Sequence, residues 1–131
     1  MEFKNLLLLL TDDGDEEIIT PCIQFCKFFR CKLFVLFVIE PFRISQLASL
    51  THQQTDKLLK VIEEQGWKLL YLVEDEATEN DIRTSLHHEE GNMVKLIEEF
   101  VKNYGIDAIF VRKKEETKKL FVSSPVMVIG L

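Results

Sequence analysis

Two runs of apolar residues mark the first forty positions of the chain. Residues 6–10 are consecutive leucines, and residues 33–39 are apolar throughout. A strand with no alternation of apolar and polar side chains is typical of a parallel sheet whose two faces are both covered. We therefore predict buried strands over residues 3–10 and 31–42, the second of which is ended by the Glu40-Pro41 dipeptide.

Two segments place their apolar residues at helical spacing. Residues 15–30 have apolar side chains three and four positions apart, and so do residues 93–104, a helix that Gly105 is expected to end. Pro21 lies inside the first segment. The helix there is predicted either to begin near Thr20, with Thr20 as its cap and Pro21 in its first turn, or to contain an earlier turn that is kinked at Pro21.

The stretch from residue 53 to residue 77 allows two interpretations. An apolar stripe at helical spacing keeps its register across Gly66 and consists of Leu58, Ile62, Leu69 and Val73. Residues 67–73 are also apolar enough to form a strand after a turn at Gly66. Because the stripe is continuous, we favour one long helix that ends at about Ala77.

Shorter segments complete the pattern. Residues 81–88 alternate and predict a third strand, residues 107–111 predict a fourth, and residues 126–130 predict the last one. The polar residues 45–55 are expected to form a loop or the approach to a helix, and residues 115–122 a short helix. Strands that alternate with helices indicate right-handed crossovers and a parallel sheet with helices on both faces.

Size and charge restrict the function. The chain has 131 residues, the size of a single domain (1–131), and a net charge of −6, which argues against binding nucleic acid through general electrostatics. Its longest apolar runs are far too short to span a bilayer, and its first residues do not resemble a secretion signal. We therefore expect a cytoplasmic protein with no membrane or nucleic-acid partner.

Three cysteines and a histidine pair are candidates for a thiol or metal site. Cys22, Cys26 and Cys31 have no further ligand at metal-binding spacing, so we interpret them as small apolar core residues. His87 and His88 are adjacent on a predicted strand and would point to opposite faces, which disfavours a shared ion. No metal site is predicted.

An acidic turn, TDDGDEE at residues 11–17, follows the first strand, at the edge where parallel sheets bind their ligands. Asp12 and Asp13 could hold Mg²⁺ in a phosphatase-like enzyme. The additional acidic and lysine residues that receiver domains and haloacid-dehalogenase-like phosphatases require have no counterparts here. Residues 15–17 are explained without a ligand, because acidic side chains stabilise the amino end of a helix. An enzyme is therefore not favoured, and no catalytic residue is predicted.

Four segments in this order resemble the universal stress protein family: NLLLLLTDDGDEE (5–17), LFVLFVIEPF (33–42), EEGNMVKLIEEFVKNYGIDAIFV (89–111) and SSPVMVIG (123–130). The resemblance covers nearly the whole chain. It implies a three-layer α/β/α fold, similar to adenine nucleotide alpha hydrolases, with five parallel strands in the order 3-2-1-4-5. In the nucleotide-binding branch of the family, the counterparts of Asp12 and Val38 contact adenosine, which implies a possible ATP or AMP site.

The phosphate-binding loop of that branch is where this sequence departs from the family. The family's loop after the fourth strand is rich in glycine, since bare backbone N–H groups must wrap the phosphates. Residues 112–124 contain no glycine. The cations of residues 112–114, beginning with Arg112, could replace the loop together with Ser123 or Ser124. Because two glutamates follow at once, we favour a solvated charged helix and a degenerate site without a cofactor.

The last strand is apolar and is expected to lie at an edge of the sheet. An exposed apolar edge strand favours pairing with another chain, and the resemblance implies a dimer formed there. We therefore predict a homodimer through Val126, Met127, Val128 and Ile129. The favoured function is a dimeric regulatory or binding module without enzymatic activity. The alternatives are an ATP- or AMP-binding protein that uses Asp12 and a Mg²⁺-dependent phosphatase-like enzyme.

Overall fold

The structure is a computed structural model that describes residues 3–131 of the chain. Within that range one sheet contains five strands: β1 (Asn5–Leu10), β2 (Lys32–Ile39), β3 (Thr84–Glu90), β4 (Ala108–Val111) and β5 (Met127–Gly130). Every neighbouring pair is parallel, and the order across the sheet is β3-β2-β1-β4-β5. This arrangement confirms the predicted fold class and strand order.

Helices cover both faces of the sheet. They are α1 (Ile19–Phe29), α2 (Pro41–Leu50), α3 (Thr55–Glu79), α4 (Met93–Tyr104) and the short α5 (Leu120–Ser123). Alternate leucines of β1 enter different hydrophobic clusters. Leu6, Leu8 and Leu10 pack in a cluster with α1 and α3, whereas Leu7 and Leu9 pack in a cluster with α4. The unbroken apolar run of β1 therefore reflects burial on both faces, as predicted.

The helix α2 corrects the prediction for residues 45–50, which were expected to belong to a loop or the approach to a helix; residues 51–54 do lie between helices. The structure places Pro41–Leu50 in a helix. Pro41 lies in its first turn, where the fixed φ angle of proline favours a helix start and its missing N–H would have no partner in any case. Only Ile44 and Ala48, four residues apart, are buried. Two buried positions in a mainly polar segment are too weak a periodic pattern to indicate a helix in the sequence.

The long helix α3 confirms the favoured interpretation of residues 53–77, so residues 67–73 do not form a strand. Gly66 lies inside this helix and is buried. A Cβ atom at that position would lie 2.5 Å from Phe37 Cδ1 and 2.7 Å from His88 Nε2. The glycine therefore allows α3 to approach β2 and β3 closely, which explains a residue of low helix propensity in mid-helix.

The start of the first helix combines features of both predicted alternatives. A 3₁₀ helix, Asp13–Ile18, precedes α1, and Pro21 lies in the first turn of α1. Thr20 is not the cap, because it lies inside α1, whose N-cap is Ile18; its hydroxyl donates a hydrogen bond to Glu76 Oε1 at 2.8 Å. The acidic turn after β1 therefore leads directly into helical structure without a loop.

Several other segments differ from their predicted bounds, among them the second strand, which ends at Ile39 instead of residue 42 because Pro41 begins α2. The third strand spans Thr84–Glu90 instead of residues 81–88. The helix predicted for residues 115–122 is a 3₁₀ helix, Glu115–Thr117, followed by α5. Within residues 3–131, no helix combines the length and the apolar character that a membrane span requires.

Candidate functional site

The acidic turn begins at the carboxyl end of β1. Asp12 accepts a hydrogen bond from the Gly14 N–H at 2.9 Å and so caps the 3₁₀ helix that follows. Asp15 turns inward: it is 1% exposed, and its Oδ2 accepts the Thr11 N–H at 2.7 Å. Burial of a carboxylate is costly unless the charge is paired, so Asp15 requires a cation close by.

Two cations from the end of β4 reach the acidic turn. The Lys114 Nζ atom lies 2.8 Å from Asp12 Oδ2 and 2.8 Å from each carboxylate oxygen of Asp15. Arg112 donates from Nε to Asp15 Oδ1 at 2.8 Å and from Nη2 to Asp12 Oδ1 at 3.2 Å. Asp12, Asp15, Arg112 and Lys114 form a network that we call the ion cluster. It joins the carboxyl ends of β1 and β4.

The electrostatics of the ion cluster stabilise the charged form of Asp12. Partial burial alone would raise the pKa of the Asp12 carboxyl. The hydrogen bond from Lys114, the charges of Lys114 and Arg112 and the Gly14 N–H outweigh burial and hold that pKa below its ordinary value. The hydrogen bond to Asp15 raises the pKa of Arg112 above its ordinary value. The side chain of Lys114 is largely shielded, with 10% of its surface exposed.

Thr117 holds the main chain of the basic segment in place. Its Oγ1 donates to the carbonyl oxygen of Arg112 at 2.7 Å and accepts the Lys114 N–H at 3.2 Å. Thr117 is itself buried. The backbone from Arg112 to Thr117 is thus closed into a turn, which directs both cations toward the acidic turn.

The segment of residues 112–119 continues across the carboxyl edge of the sheet. Arg43 Nη2, on α2, lies 2.7 Å from Glu116 Oε1. Lys119 Nζ lies 3.4 Å from Glu40 Oε2, at the end of β2. Oppositely charged side chains therefore connect the 112–119 segment to the ends of β1 and β2 and to α2.

A cavity of about 440 Å³ opens beside the ion cluster, between the carboxyl ends of β1 and β2 and the helices α2 and α3. Asp12 and Val38 both border it, so the structure brings these two predicted site residues to one place. Val38 is nevertheless buried and packs in the cluster on the α4 side. Much of the wall is apolar and includes Ile44, Leu47, Leu58 and Ile62.

The other predicted site residues do not line this cavity. Arg112 contacts Asp12 but is not part of the wall. The hydroxyl groups of Ser123 and Ser124 each donate to a nearby main-chain carbonyl, at 2.7 Å in both cases. The structure therefore places Asp12 and Val38 together and leaves Ser123 and Ser124 outside the cavity.

Solved structures resemble this chain in fold and not in sequence. No family model matches the chain, and no curated protein matches it in sequence. A universal stress protein family member from Burkholderia pseudomallei matches with a TM-score of 0.72 and 13% identity, over 95% of this chain and 94% of that one. UspA from Lactobacillus plantarum matches with a TM-score of 0.69 and 15% identity, over 100% of this chain and 99% of that one. A universal stress protein family protein from Arabidopsis thaliana with AMP bound matches with a TM-score of 0.61 and 11% identity, over 98% of this chain and 90% of that one. The chain has the universal stress protein fold.

At the carboxyl edge of this universal stress protein fold, one prediction is confirmed but incomplete and another is wrong in part. Asp15 lies in the first turn of the 3₁₀ helix, as its interpretation as a helix-start residue predicts, and it is in addition buried and paired with Arg112 and Lys114. The prediction of a solvated charged helix after β4 is wrong for Arg112 and Lys114, the two cations of the ion cluster. It is right for Lys118, whose exposed ammonium group pairs with Glu115 at 2.9 Å. The partners of the ion cluster lie 97 to 102 positions apart, where local sequence patterns carry no signal.

A metal ion fits the acidic turn of this universal stress protein fold poorly. Both carboxylate oxygens of Asp12 are paired with cations, so Mg²⁺ at Asp12 and Asp13 would be repelled by the nearby charges of Arg112 and Lys114. In the part of the chain that the structure describes, no group of three His, Cys, Asp or Glu side chains is placed to hold a metal. His87 and His88 contact aromatic rings on opposite faces of β3, as predicted.

The three cysteines are buried and free, which confirms their interpretation as core residues. Burial raises the pKa of Cys26 to about 12. Burial also raises the pKa of Cys22 well above its ordinary value and raises that of Cys31. Because the thiolate is the reactive form, these side chains are poor nucleophiles.

Proposed function

We propose that the chain is a binding or regulatory member of the universal stress protein family, without enzymatic activity, whose nucleotide site is degenerate. The match to the fold over the whole length of the chain supports the family assignment. The observation that carries the proposal of a degenerate site is the position of Lys114. Its ammonium group lies 2.8 Å from Asp12, the residue to which the resemblance assigns adenosine binding.

A nucleotide at this edge would compete with the ion cluster. The Asp12 carboxylate, to which the resemblance assigns a contact with adenosine, already accepts hydrogen bonds from Lys114 and Arg112. Displacement of Lys114 would also weaken the pairing of the buried Asp15, and breaking a buried ion pair costs about 3–5 kcal/mol. The phosphates would need main-chain donors as well, and residues 112–124 contain no glycine that could expose them.

The second candidate function is binding of ATP or AMP. Two observations favour it: the cavity of about 440 Å³ that both Asp12 and Val38 border, and the bound AMP in the Arabidopsis structure. In that case Arg112 and Lys114 would turn from the carboxylates toward the phosphates. Ser123 and Ser124 would give up their bonds to the main chain and donate to the phosphates.

Titration with ATP and with AMP, each with and without Mg²⁺, distinguishes these functions. Amide resonances of residues 11–15 and 38–40 report binding at the carboxyl edge, and calorimetry gives the affinity. We expect no saturable change at these residues and no release of inorganic phosphate from ATP. Sustained phosphate release that requires Asp12 and Asp13 would contradict the non-enzymatic role.

The variant Asp12→Ala provides the site-specific arm of this experiment. If a nucleotide binds the wild-type protein at residues 11–15 and Asp12→Ala abolishes that binding, the degenerate site is refuted and the second candidate function holds. The matched control is Asp75→Ala, which removes an exposed carboxylate from α3, outside the cavity wall. It should leave any nucleotide binding unchanged.

We also propose that the protein is a homodimer that pairs through residues 126–129. Two observations support this proposal. β5 is an edge strand of the sheet, and Met127 on it is 45% exposed. Other apolar side chains with exposed surface lie in the same part of the chain, namely Phe121, Val122 and Leu131. A second copy of the chain would cover this apolar edge and satisfy its unpaired backbone groups.

A further inference from the structure

The cavity of about 440 Å³ beside the ion cluster, which we call the carboxyl-edge cavity, has the size of a small-ligand site. Its apolar lining includes buried residues at the carboxyl end of β2 and on α2, namely Val38, Ile39 and Ile44. Two exposed apolar residues, Leu47 on α2 and Val61 on α3, also line it. Exposed apolar side chains that gather at one cavity are typical of a binding site.

Three charged side chains of the wall are already paired within the protein. Asp12 belongs to the ion cluster, and Glu40 lies 3.4 Å from Lys119 Nζ. Arg43 is the one cation among the described residues that line the cavity, and its Nη2 lies 2.7 Å from Glu116 Oε1. An anionic ligand would therefore lose its hydration without gaining a free cation in return.

The fourth charged side chain of the wall, Asp13, attracts a cation only weakly. Within residues 3–131 Asp13 forms no ion pair, and it is exposed in the 3₁₀ helix after β1. Water and salt screen a charge in such a position, so its contribution to the binding of a cationic ligand is small. The wall as a whole therefore favours a ligand without charge.

The apolar part of the wall is aliphatic. Among the described residues that line the cavity, every apolar side chain is a valine, a leucine or an isoleucine. A flat aromatic ring or a base finds no ring to stack on, whereas an aliphatic body gains from the burial of apolar surface alone. The shape and chemistry of the wall thus suit an aliphatic ligand better than an aromatic one.

Gln65 supplies a polar group with free hydrogen-bonding capacity. It lies on α3, is half-buried and lines the cavity. Its side-chain amide makes no hydrogen bond to any residue in the range 3–131. An amide offers both a donor and an acceptor, so it can pair with one hydroxyl or amide group of a ligand.

A small molecule fits this cavity better than a protein partner does. The exposed apolar residues of the wall are Leu47, Leu50 and Val61. Three such side chains are few for a stable protein interface, which buries about 800 Å² on each partner. Because α2 and α3 flank the buried residues of the cavity, an occupant must also be narrow enough to enter between two helices.

We propose that the carboxyl-edge cavity binds a small, uncharged aliphatic molecule that carries one hydrogen-bonding group, of the class of medium-chain alcohols. The proposal rests on the proposed function, since it assigns a ligand to the site that is degenerate for nucleotides. The aliphatic body lies between α2 and α3, and the hydroxyl group pairs with the Gln65 amide. The ion cluster stays intact when this ligand binds.

The probes are 1-hexanol, hexylamine and hexanoate, which share one aliphatic body and are neutral, cationic and anionic at neutral pH. Amide resonances of residues 44–50 and 58–65 report binding. We expect saturable shifts with 1-hexanol, and an affinity about tenfold higher than that for hexanoate, which must be desolvated without a free counter-ion. Hexylamine should also bind more weakly than 1-hexanol.

Variants of the wall test whether the ligand lies in this cavity. Leu47→Asn and Val61→Asn each remove apolar contact surface and should weaken 1-hexanol binding about fivefold. The matched control is Leu72→Asn on α3, since Leu72 is 41% exposed, close to the 44% of Leu47, and does not line the cavity. Gln65→Glu keeps the shape of the side chain and adds a negative charge, so it should strengthen the binding of hexylamine.

Each other outcome would overturn the proposal. Absence of saturable shifts up to the solubility of 1-hexanol would exclude the site, and equal affinity in Leu47→Asn, Val61→Asn and the wild type would exclude this cavity. Tighter binding of hexanoate or hexylamine to the wild type would exclude an uncharged ligand. Unchanged hexylamine binding in Gln65→Glu would exclude the assigned polar contact. Circular dichroism checks that the variants are folded.

Failure of this proposal and failure of the proposed function give different results. Nucleotide binding reported by residues 11–15 would refute the degenerate site, whatever 1-hexanol does. Absence of both nucleotide binding and 1-hexanol binding would overturn the aliphatic ligand alone and leave the degenerate site in place.

Discussion

The ammonium group of Lys114 lies 2.8 Å from both carboxylate oxygens of Asp15, although the two residues are 99 positions apart in the chain. Their side chains are 10% and 2% exposed. An ion pair so shielded from water differs from a surface pair, because removal of one partner leaves the other charge buried with less compensation. The pair therefore ties the connection after β4 to the turn after β1.

Replacement of Lys114 by methionine is expected to destabilise the protein by about 3 kcal/mol, because Asp15 stays buried with Arg112 as its remaining cation. Methionine keeps much of the length of the side chain and removes its charge. The matched control is Lys118→Met, which breaks an exposed pair with Glu115 in the same segment and should change stability little. Urea unfolding measures both variants. Equal stability losses in the two would argue against a structural role for the ion cluster.

Asp12 should make stability depend on pH in the acidic range. Its pKa in the folded protein is lower than the ordinary value of 3.8, so the unfolded chain binds the proton more readily. The stabilisation is therefore present above the ordinary pKa and is lost as the pH falls through the folded-state pKa. In Asp12→Asn, which keeps a helix-capping side chain, this contribution is absent at every pH.

The measurement is urea unfolding of the wild type and Asp12→Asn at about pH 5 and about pH 3. The wild type should lose more stability than the variant between the two values. Asp75→Asn is the control, since it removes an exposed carboxylate outside the ion cluster. A variant with the full pH dependence of the wild type would show that Asp12 does not contribute through its charge.

The architecture could be predicted because burial on both faces of a strand leaves a local pattern. The leucines of β1 and the apolar run of β2 indicate a covered parallel sheet, and they form its centre in the structure. The stripe across Gly66 likewise predicted α3. Helix α2 was missed, because Ile44 and Ala48 are its only buried positions and Pro41 was interpreted as the end of a strand.

The candidate site was less predictable, for a physical reason. Asp12 follows β1 and Val38 lies near the end of β2, so the order of strands and helices is enough to bring both residues to the carboxyl edge of the sheet. The pairing of Asp15 with Lys114 depends on the 3₁₀ helix that turns Asp15 inward and on the Thr117 hydrogen bonds that direct Lys114. Neither geometry leaves a periodic pattern in the sequence.

Gly66→Ala is expected to destabilise the protein, although alanine is the better helix former by about 1 kcal/mol. The added Cβ would lie 2.5 Å from Phe37 and 2.7 Å from His88, so α3 would have to move away from the sheet. Overpacking of this kind typically costs about 1–3 kcal/mol, which outweighs the propensity. Thermal unfolding measures the change, with Glu64→Ala on the exposed side of α3 as control. Increased stability of Gly66→Ala would show that the sheet accommodates the methyl group without strain.

The last strand, β5, forms one edge of the sheet. Within residues 3–131, β5 pairs with β4 alone, which leaves one row of backbone groups for a second copy of the chain. Val128→Lys should shift the protein from dimer to monomer in sedimentation velocity, because a charge on an apolar edge strand opposes strand pairing. Val128 also packs against the α4-side cluster, so the more exposed Met127→Lys separates loss of the dimer from unfolding. Glu89→Lys, on the opposite edge strand β3, should leave the dimer intact. A dimer that persists in both β5 variants would place the interface elsewhere.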